Sequence, residues 1–301
     1  MLEGTVVLST GGFYDVDTPE GVLRCRMRGR LKKEKKRTDL CVIGDRARVS
    51  RGDEDGVEGW VEEVLPRERV FSRRHPGKGG RHKEDVLVAN LDRLVCVFSF
   101  RDPPFHPRML DRFIVIAEHN DVNVAVVANK CDQEDADQRA VFERYRELGY
   151  PLILTSAVDG TGIDELRALL KSETSALTGP SGTGKSSLVN VLLPDVDARV
   201  AETSDAHGKG RHTTRVARLH RFGEGYIADT PGIRELGAWA LPDQELDRCF
   251  IELRPFLGAC GFRNCRHLVE PKCAVKQALE EGAIHPERYE SYVRLVADEE
   301  R

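Results

Sequence analysis

Short apolar and alternating segments in the first 65 residues predict a small β-barrel. Gly and Asp separate these segments, as they do between the strands of such a barrel. The predicted strands span residues 4–9, 12–16, 21–27, 39–43, 47–50 and 59–64. About five strands in about sixty residues fit an oligonucleotide-binding (OB) barrel. Periodicity alone does not distinguish this barrel from an SH3-like one.

The pattern changes at about residue 66, where strands begin to alternate with helices. Predicted strands 94–99, 122–129 and 152–155 alternate with predicted helices 106–119, 135–148 and 162–170. Such alternation indicates βαβ units on a largely parallel sheet. From about residue 241 the chain is predicted to be helical around a Cys/His cluster. The expected architecture is therefore multidomain, with an OB-like barrel (1–66), an α/β domain (67–240) and a helical domain (241–301).

Length and composition support several domains and provide no candidate for a membrane span. The chain has 301 residues, roughly twice the ~150 that serve as a guide for one domain. No stretch approaches the ~18 uninterrupted apolar residues of a membrane-spanning helix. The first nine residues lack the pattern of a secretory signal, so we expect a cytoplasmic protein without membrane contact. In that compartment the eight cysteines are expected to be reduced, which favours metal binding over disulfides.

Positive charge is concentrated in one segment, although the formal net charge is −4. Residues 24–37 contain nine Lys or Arg and a single acid, Glu34. This density predicts contact with a polyanion through a loop between barrel strands. The alternative is a solvated loop. The candidate contact residues are Arg24, Arg26, Arg28, Arg30, Lys32, Lys33, Lys35, Lys36 and Arg37.

The strongest local motif is a P-loop, a glycine followed by four residues and then Gly-Lys-Ser. An apolar segment precedes it and a predicted helix (187–193) follows, so backbone N–H groups and the helix N-terminus can bind phosphates. Lys185 is expected to act as a catalytic group that reaches the β- and γ-phosphates, and Ser186 to bind Mg²⁺. The candidate nucleotide-binding residues here are Gly179, Pro180, Ser181, Gly182, Thr183, Gly184, Lys185, Ser186 and Ser187.

A second motif, directly after an apolar strand, predicts which base is bound. The motif consists of Asn129, Lys130, Cys131 and Asp132. A carboxylate at position 132 can accept two hydrogen bonds from the N1 and N2 donors of guanine, which adenine lacks. The sequence therefore predicts GTP over ATP. The segment after the next strand, Thr155, Ser156 and Ala157, resembles the supporting loop whose backbone N–H reads the guanine O6.

Two further segments resemble the parts of a GTPase that sense the γ-phosphate. Asp229 to Gly232 reads Asp-Thr-Pro-Gly and resembles the segment that holds Mg²⁺ through water. Thr213 and Thr214 lie where a Mg²⁺-binding switch I threonine is expected. The order is unusual, because the guanine motifs precede the P-loop. The motifs are circularly permuted relative to an ordinary GTPase.

Four soft or borderline metal ligands lie within fourteen residues near the C-terminus. They are Cys260, Cys265, His267 and Cys273. A Cys₃His set suits a closed tetrahedral Zn²⁺ site with a structural role, one ion per chain. The alternative is a group of buried cysteines beside an unrelated histidine.

The combination of these parts resembles the bacterial RsgA family of small ribosomal subunit biogenesis GTPases over essentially the whole chain. Its matching segments are DPPFHPRMLDRF, NKCD, GPSGTGKSS, GRHTT, DTPG and CGFRNCRH..EPKC. The resemblance implies an enzyme that hydrolyses GTP to GDP, binds the 30S subunit and its 16S rRNA late in assembly, and is stimulated by that subunit. We expect a monomer.

The sequence supplies only part of what GTP hydrolysis needs. Ile233 stands after Gly232, where Ras-like enzymes place a glutamine that orients water, and an apolar side chain cannot do this. Slow intrinsic turnover is therefore expected. His212 is the best-placed substitute, since an imidazole can donate or accept a proton near neutral pH. The alternative is that His212 contacts only RNA or solvent.

Overall fold

The N-terminal part of the computed structural model is a closed five-stranded barrel. The structure describes residues 1–29, 40–54, 57–75, 83–194, 217–230, 233, 236 and 245–299. The barrel strands are β1 (Leu2–Thr10), β2 (Phe13–Thr18), β3 (Gly21–Met27), β4 (Arg46–Glu54) and β5 (Val57–Val64). The strand order β1-β2-β3-β5-β4 closes through pairing of β4 with β1, and β3 runs parallel to β5. This order is that of an OB barrel, which resolves the alternative left open by the sequence.

The predicted strand at residues 39–43 is wrong for the described part of that segment. Residues 40–45 form bends and turns. The carboxylate of Asp45 accepts a hydrogen bond from the backbone N–H of Val42 (2.8 Å) and binds the guanidinium of Arg67 (2.7 Å). A side chain that bonds the backbone of its own turn competes with strand pairing, and the β-branched pair Val42 and Ile43 does not outweigh it.

A separate two-stranded hairpin follows the barrel and was not predicted. It consists of β6 (Val70–His75) and β7 (Lys83–Ala89), which pair only with each other. The apolar residues occupy only one end of each strand, residues 70–71 of β6 and 86–89 of β7, and charged residues occupy the other end. Neither strand therefore has a long apolar or alternating pattern. Residues 76–82 lie outside the described part of the chain.

The central part is an α/β sheet with the predicted alternation of strands and helices. Its strands are β8 (Arg93–Ser99), β9 (Asn123–Asn129), β10 (Leu152–Thr155), β11 (Thr174–Thr178), β12 (Arg218–Phe222) and β13 (Gly225–Asp229). Its helices are α1 (Pro107–His119), α2 (Ala136–Glu147), α3 (Ile163–Leu170) and α4 (Lys185–Leu192). The strand order is β10-β9-β8-β11-β13-β12, parallel except for β12.

Both faces of this sheet are covered by apolar residues. One core joins strand residues such as Val97 and Val127 to Leu166 of α3 and Leu188 of α4. On the opposite face, α1 packs over the sheet, and its core is shared with the C-terminal segment, which contributes Phe250 among others.

The C-terminal segment is mostly helical and ends in one long helix. It contains two 3₁₀ turns (Leu246–Cys249 and Arg254–Phe256), α5 (Ala274–Glu280) and α6 (Pro286–Glu299). Within the described ranges, no helix combines the length and the apolar character needed to span a membrane. The barrel meets the central sheet where Leu8 of β1 pairs with Arg218 of β12.

Candidate nucleotide and metal sites

The carboxyl ends of four parallel strands bring the nucleotide motifs to one edge of the sheet. β9 ends at Asn129, β10 at Thr155, β11 at Thr178 and β13 at Asp229. In open α/β sheets the crevice at the carboxyl ends of the strands is the usual ligand site. The permuted chain order therefore still produces one common edge, because the strands come together in the sheet irrespective of their sequence order.

The P-loop connects β11 to α4 and requires glycine at its two ends. Gly179 has a φ of 143°, and a Cβ there would lie 2.0 Å from the carbonyl oxygen of Val97. Gly184 has a φ of 90°, and a Cβ there would lie 2.3 Å from Nδ2 of Asn129. The Lys185 ammonium lies over this loop and donates a hydrogen bond to the carbonyl of Gly179 (2.7 Å).

Asn129 connects the base motif to the phosphate loop. Its side-chain amide donates to the carbonyl of Thr183 in the P-loop (2.8 Å), and its oxygen accepts from the hydroxyl of Thr155 (2.9 Å). Asn129 is 2% exposed and Thr155 is fully buried. These two bonds hold the loops after β9, β10 and β11 in one arrangement. The sequence pointed to Asn129 and placed Thr155 in the segment that resembles the supporting loop, but it gave no signal for the contact between these two side chains.

The residues assigned to guanine lie next to this connection. Lys130 has a left-handed backbone (φ 59°), and its ammonium donates to the carbonyl of Asp102 in the loop after β8. Asp132 lies in the following 3₁₀ turn and is exposed, whereas Cys131 is half-buried. Ser156 is buried in a turn closed by its backbone bond to Thr161 (3.0 Å). All of these positions face the same sheet edge as the P-loop.

Ile233, which follows the Asp-Thr-Pro-Gly motif, is buried away from this edge. Ile233 is 1% exposed and belongs to the core on the α1 face. The Thr178 hydroxyl at the end of β11 donates to the Ile233 carbonyl (2.9 Å). The side chain of Ile233 is therefore unable to orient water at a nucleotide, which agrees with the sequence interpretation. His212, Thr213, Thr214 and Gly232 lie outside the described residues.

The four predicted metal ligands form a compact cluster. Their ligand atoms all lie within 4.8 Å of one another. His267 Nδ1 lies 3.5 Å from Cys260 Sγ and 3.4 Å from Cys273 Sγ, and the two sulfurs are 4.0 Å apart. With a Zn–S distance of about 2.3 Å, a tetrahedral site has ligand–ligand edges of about 3.8 Å. The cluster can hold a metal ion, and its dimensions fit a tetrahedral one.

Residues outside the cluster orient its histidine and its loop. The Asp247 carboxylate lies 3.3 Å from Nε2 of His267, and this hydrogen bond is the main reason why the pKa of His267 is raised to about 9. Tyr289 donates its hydroxyl to the His267 carbonyl (2.6 Å). The Glu270 carboxylate accepts from the backbone N–H groups of Arg266 and Leu268 (both 2.9 Å). Sequence spacing gave no signal for these three residues.

The basic residues that the structure describes lie on the outer face of a barrel strand. Leu23, Cys25 and Met27 point into the barrel, which leaves Arg24 and Arg26 outside, both stacked over the ring of Phe13 (4.6 and 4.5 Å). Arg28 stacks over Trp60 (4.5 Å) and pairs with Glu62 (3.0 Å). Arg24 and Arg26 are thus in β3 instead of in a loop. The remaining candidates, Arg30, Lys32, Lys33, Lys35, Lys36 and Arg37, lie outside the described residues.

Comparison with known proteins finds one family along the chain. A family model described as RsgA GTPase matches residues 64–239, and one described as RsgA N-terminal domain matches residues 3–61. A Gemmatimonas aurantiaca protein named small ribosomal subunit biogenesis GTPase RsgA is 46% identical over 296 residues, which cover 97% of this chain and 95% of that protein. A protein of the same name from Chlorobaculum tepidum is 41% identical over 302 residues, covering 98% and 97%.

Two solved structures share this fold over nearly their whole length. The crystal structure of YjeQ from Thermotoga maritima has a TM-score of 0.77 and 32% sequence identity, covering 99% of this chain and 98% of that chain. YloQ, described as a circularly permuted GTPase, has a TM-score of 0.78 and 31% identity, covering 100% and 96%.

Proposed function

The chain belongs to the RsgA GTPase family, and we propose that its hydrolysis of GTP serves late assembly of the small (30S) ribosomal subunit. It is a GTP-hydrolysing enzyme. One observation carries the proposal for its nucleotide site: Asn129 joins the guanine motif, the P-loop and the end of β10 through two buried hydrogen bonds. The name shared by its relatives supports the small ribosomal subunit as the particle on which it acts.

The proposed GTP site uses the edge where these loops meet. Asp132 reads the guanine N1 and N2 donors, and the loop at Ser156 and Ala157 reads O6. Backbone N–H groups of the P-loop and the N-terminus of α4 bind the phosphates, with Lys185 at the β- and γ-phosphates. The complete proposed set is Asn129, Lys130, Cys131, Asp132, Ser156, Ala157, Gly179, Pro180, Ser181, Gly182, Thr183, Gly184, Lys185, Ser186, Ser187, Asp229 and Gly232.

Two metal ions complete the proposal. Ser186 and Asp229, with Thr213 or Thr214, would hold Mg²⁺, which neutralises charge on the phosphates when it is bound. Cys260, Cys265, His267 and Cys273 would hold one structural Zn²⁺, since thiolates and an imidazole in a tetrahedral arrangement favour that ion. With all four ligands supplied by protein, no position remains for a substrate.

Slow intrinsic hydrolysis and activation by the subunit are proposed together. Ile233 is buried in the core, so a water-orienting group has to come from elsewhere. We assign this role to His212, beside the proposed switch I threonines. Its replacement by alanine should lower single-turnover hydrolysis on the 30S particle and leave GTP affinity near wild type.

The barrel is the proposed anchor on 16S rRNA. Arg24, Arg26 and Arg28 form one outward face, and Arg30, Lys32, Lys33, Lys35, Lys36 and Arg37 continue the same basic segment. Lys and Arg that contact phosphates bind nucleic acid in a salt-dependent manner. The proposed domains are 1–66, 67–240 and 241–301, and the protein would act as a monomer in the cytoplasm, where ribosomes assemble.

Phosphate release measured with and without 30S particles tests this proposal. We expect stimulation of at least about tenfold, because activation supplies the group that orients water. Separated 50S particles serve as the control, and Lys185→Ala gives the background rate. Co-sedimentation with each subunit then tests the partner. Equal rates with and without 30S particles would instead favour a GTP-dependent RNA-binding switch in which hydrolysis is incidental.

A further inference from the structure

One carboxylate ties the barrel to both strands of the hairpin that carries Asp229. Asp17 lies on β2, and its Oδ2 accepts a hydrogen bond from Nη1 of Arg221 (2.9 Å) and from the hydroxyl of Tyr226 (2.8 Å). Arg221 on β12 and Tyr226 on β13 are cross-strand partners. A single oxygen atom of the barrel therefore contacts both strands of this hairpin.

The same hairpin carries the proposed γ-phosphate residues at its other end. Asp229 closes β13 and lies opposite Arg218, the first residue of β12. Asp229 lies three positions after Tyr226, which is about 10 Å along a strand. Arg218 also pairs with Leu8 of the barrel strand β1. Thr214, the last proposed switch I residue, precedes Arg218 by only four positions in the sequence.

The two partners in this ion pair differ in burial. The Asp17 side chain is 8% exposed, while that of its partner Arg221 is 61% exposed. A pair with a mostly exposed arginine adds little to folding stability. The contact instead fixes the orientation of the hairpin relative to the barrel, because one buried oxygen atom accepts hydrogen bonds from two neighbouring strands.

We infer that Asp17 is a positioning residue that couples engagement of the barrel to the hydrolysis site through the hairpin of β12 and β13. The inference rests on the proposed function, since the 30S subunit is the partner that would engage the barrel. Movement of the barrel is transmitted at two points, the Asp17 carboxylate and the Leu8–Arg218 pair. At both points the barrel contacts the hairpin of β12 and β13. Asp229 ends β13, and the proposed switch I residues precede β12 in the sequence. Because such coupling is reciprocal, a bound nucleotide also alters the barrel strands.

The first test compares hydrolysis in two charge-removing variants of the barrel. Asp17→Asn keeps the side-chain volume but turns a donor toward Arg221. Glu63→Gln is the control with the same chemical change, because Glu63 pairs with another barrel residue, Arg48, on the exposed surface (2.8 Å). We expect Asp17→Asn to lower the 30S-stimulated kcat by about tenfold, within the usual range of coupling between sites. Basal kcat, GTP affinity and 30S affinity should stay near wild type, and Glu63→Gln should change none of these values.

A second variant distinguishes loss of this contact from simple misfolding. Tyr226→Phe removes one donor to the same oxygen and should lower stimulation in the same direction. In the double variant with Asp17→Asn the losses should not add, because both changes break one contact. Wild-type stimulation in Asp17→Asn, or equal losses of basal and stimulated rates, would overturn the inference.

A measurement without ribosomes separates this inference from the proposed function. Hydrogen exchange of residues 2–18 in the free protein is compared between GTP-analogue and GDP states. A nucleotide-dependent difference is expected in wild type and should disappear in Asp17→Asn. If wild type shows no 30S stimulation, the proposed function fails. If residues 2–18 do not respond to nucleotide, or respond equally in the variant, the inference fails whatever the 30S result.

Discussion

At the scale of single residues, Asp247 orients His267 from outside the cluster of proposed metal ligands. Its carboxylate lies 3.3 Å from Nε2 of His267, which leaves Nδ1 facing the cysteine sulfurs. Loss of such an outer partner usually lowers metal affinity by about 10- to 100-fold. We expect Asp247→Ala to do so in competition with a chromogenic chelator, while Glu280→Ala on α5 serves as the control. An unchanged affinity would mean that backbone contacts alone orient the ring.

A second residue-scale prediction concerns the choice of base. Asp132→Asn exchanges an acceptor for a donor opposite the purine 2-position, so it should weaken GTP binding and strengthen XTP binding. Competition against a fluorescent GDP measures both affinities. Asp164→Asn on α3 is the control with the same chemical change. Equal losses for GTP and XTP would leave the role of Asp132 in guanine selection unsupported.

Residues were predictable where spacing along the chain carries the chemistry. The P-loop, Asn129 and the four metal ligands follow local patterns, and the structure brings the described members of each set together. Asp247 was not predictable, because twenty positions separate it from His267 and only the fold closes that gap. The role of Asp17 was not predictable either, since its partner Arg221 lies 204 positions away.

At the scale of elements, a buried ionic network joins α6 to α1. Arg288 of α6 donates to Glu252 (2.6 Å) and to Asp111 of α1, and its guanidinium lies over the ring of Phe250 (4.6 Å). The Arg288 side chain is 4% exposed. Burial alone lowers the pKa of Arg288, but the carboxylates of Asp111 and Glu252 outweigh it and raise the pKa. The guanidinium therefore stays charged, and both carboxylates depend on it.

Removing the Arg288 side chain should break the ionic contact between α6 and α1. Arg288→Ala leaves two buried carboxylates without their cation, at a cost of about 3–5 kcal/mol, or a melting temperature roughly 5–15 °C lower. Thermal unfolding measures the shift. Arg294→Ala on the same helix removes an arginine that is 48% exposed and should change stability by less than about 1 kcal/mol. Similar shifts in the two variants would contradict a special role for the network.

Elements were predictable where apolar periodicity was long and uninterrupted. The strands and helices from β8 to α4 were anticipated, with ends displaced by one or two positions, except that β11 was recognised only as an apolar segment before the P-loop. The turn at residues 40–45 was not predictable, because a carboxylate that bonds the backbone of its own turn opposes strand formation. The hairpin of β6 and β7 was not predictable, because charged residues within its strands weaken the periodic signal.

At the scale of the whole molecule, the C-terminal segment shares its core with the GTPase sheet. Phe250 and Leu253 belong to the same cluster as Phe113 of α1, and Ile233 joins it directly after β13. A nucleotide-dependent shift after Asp229 should therefore reach this segment. We expect hydrogen exchange of residues 245–273 to differ between GTP-analogue and GDP states. Identical protection in the two states, free and on the 30S particle, would exclude coupling by this route.

The shared core also has a consequence for the synthesis of the protein. Chains emerge from the ribosome N-terminus first, and domains fold as they appear. The barrel closes on its own strands, so it can form early. The core on the α1 side of the sheet, by contrast, stays incomplete until residues 245–299 have left the exit tunnel, because those residues pack against α1 and share its core. A nascent chain therefore carries a folded OB barrel well before it carries a finished GTPase, and it has to be protected from aggregation during that interval.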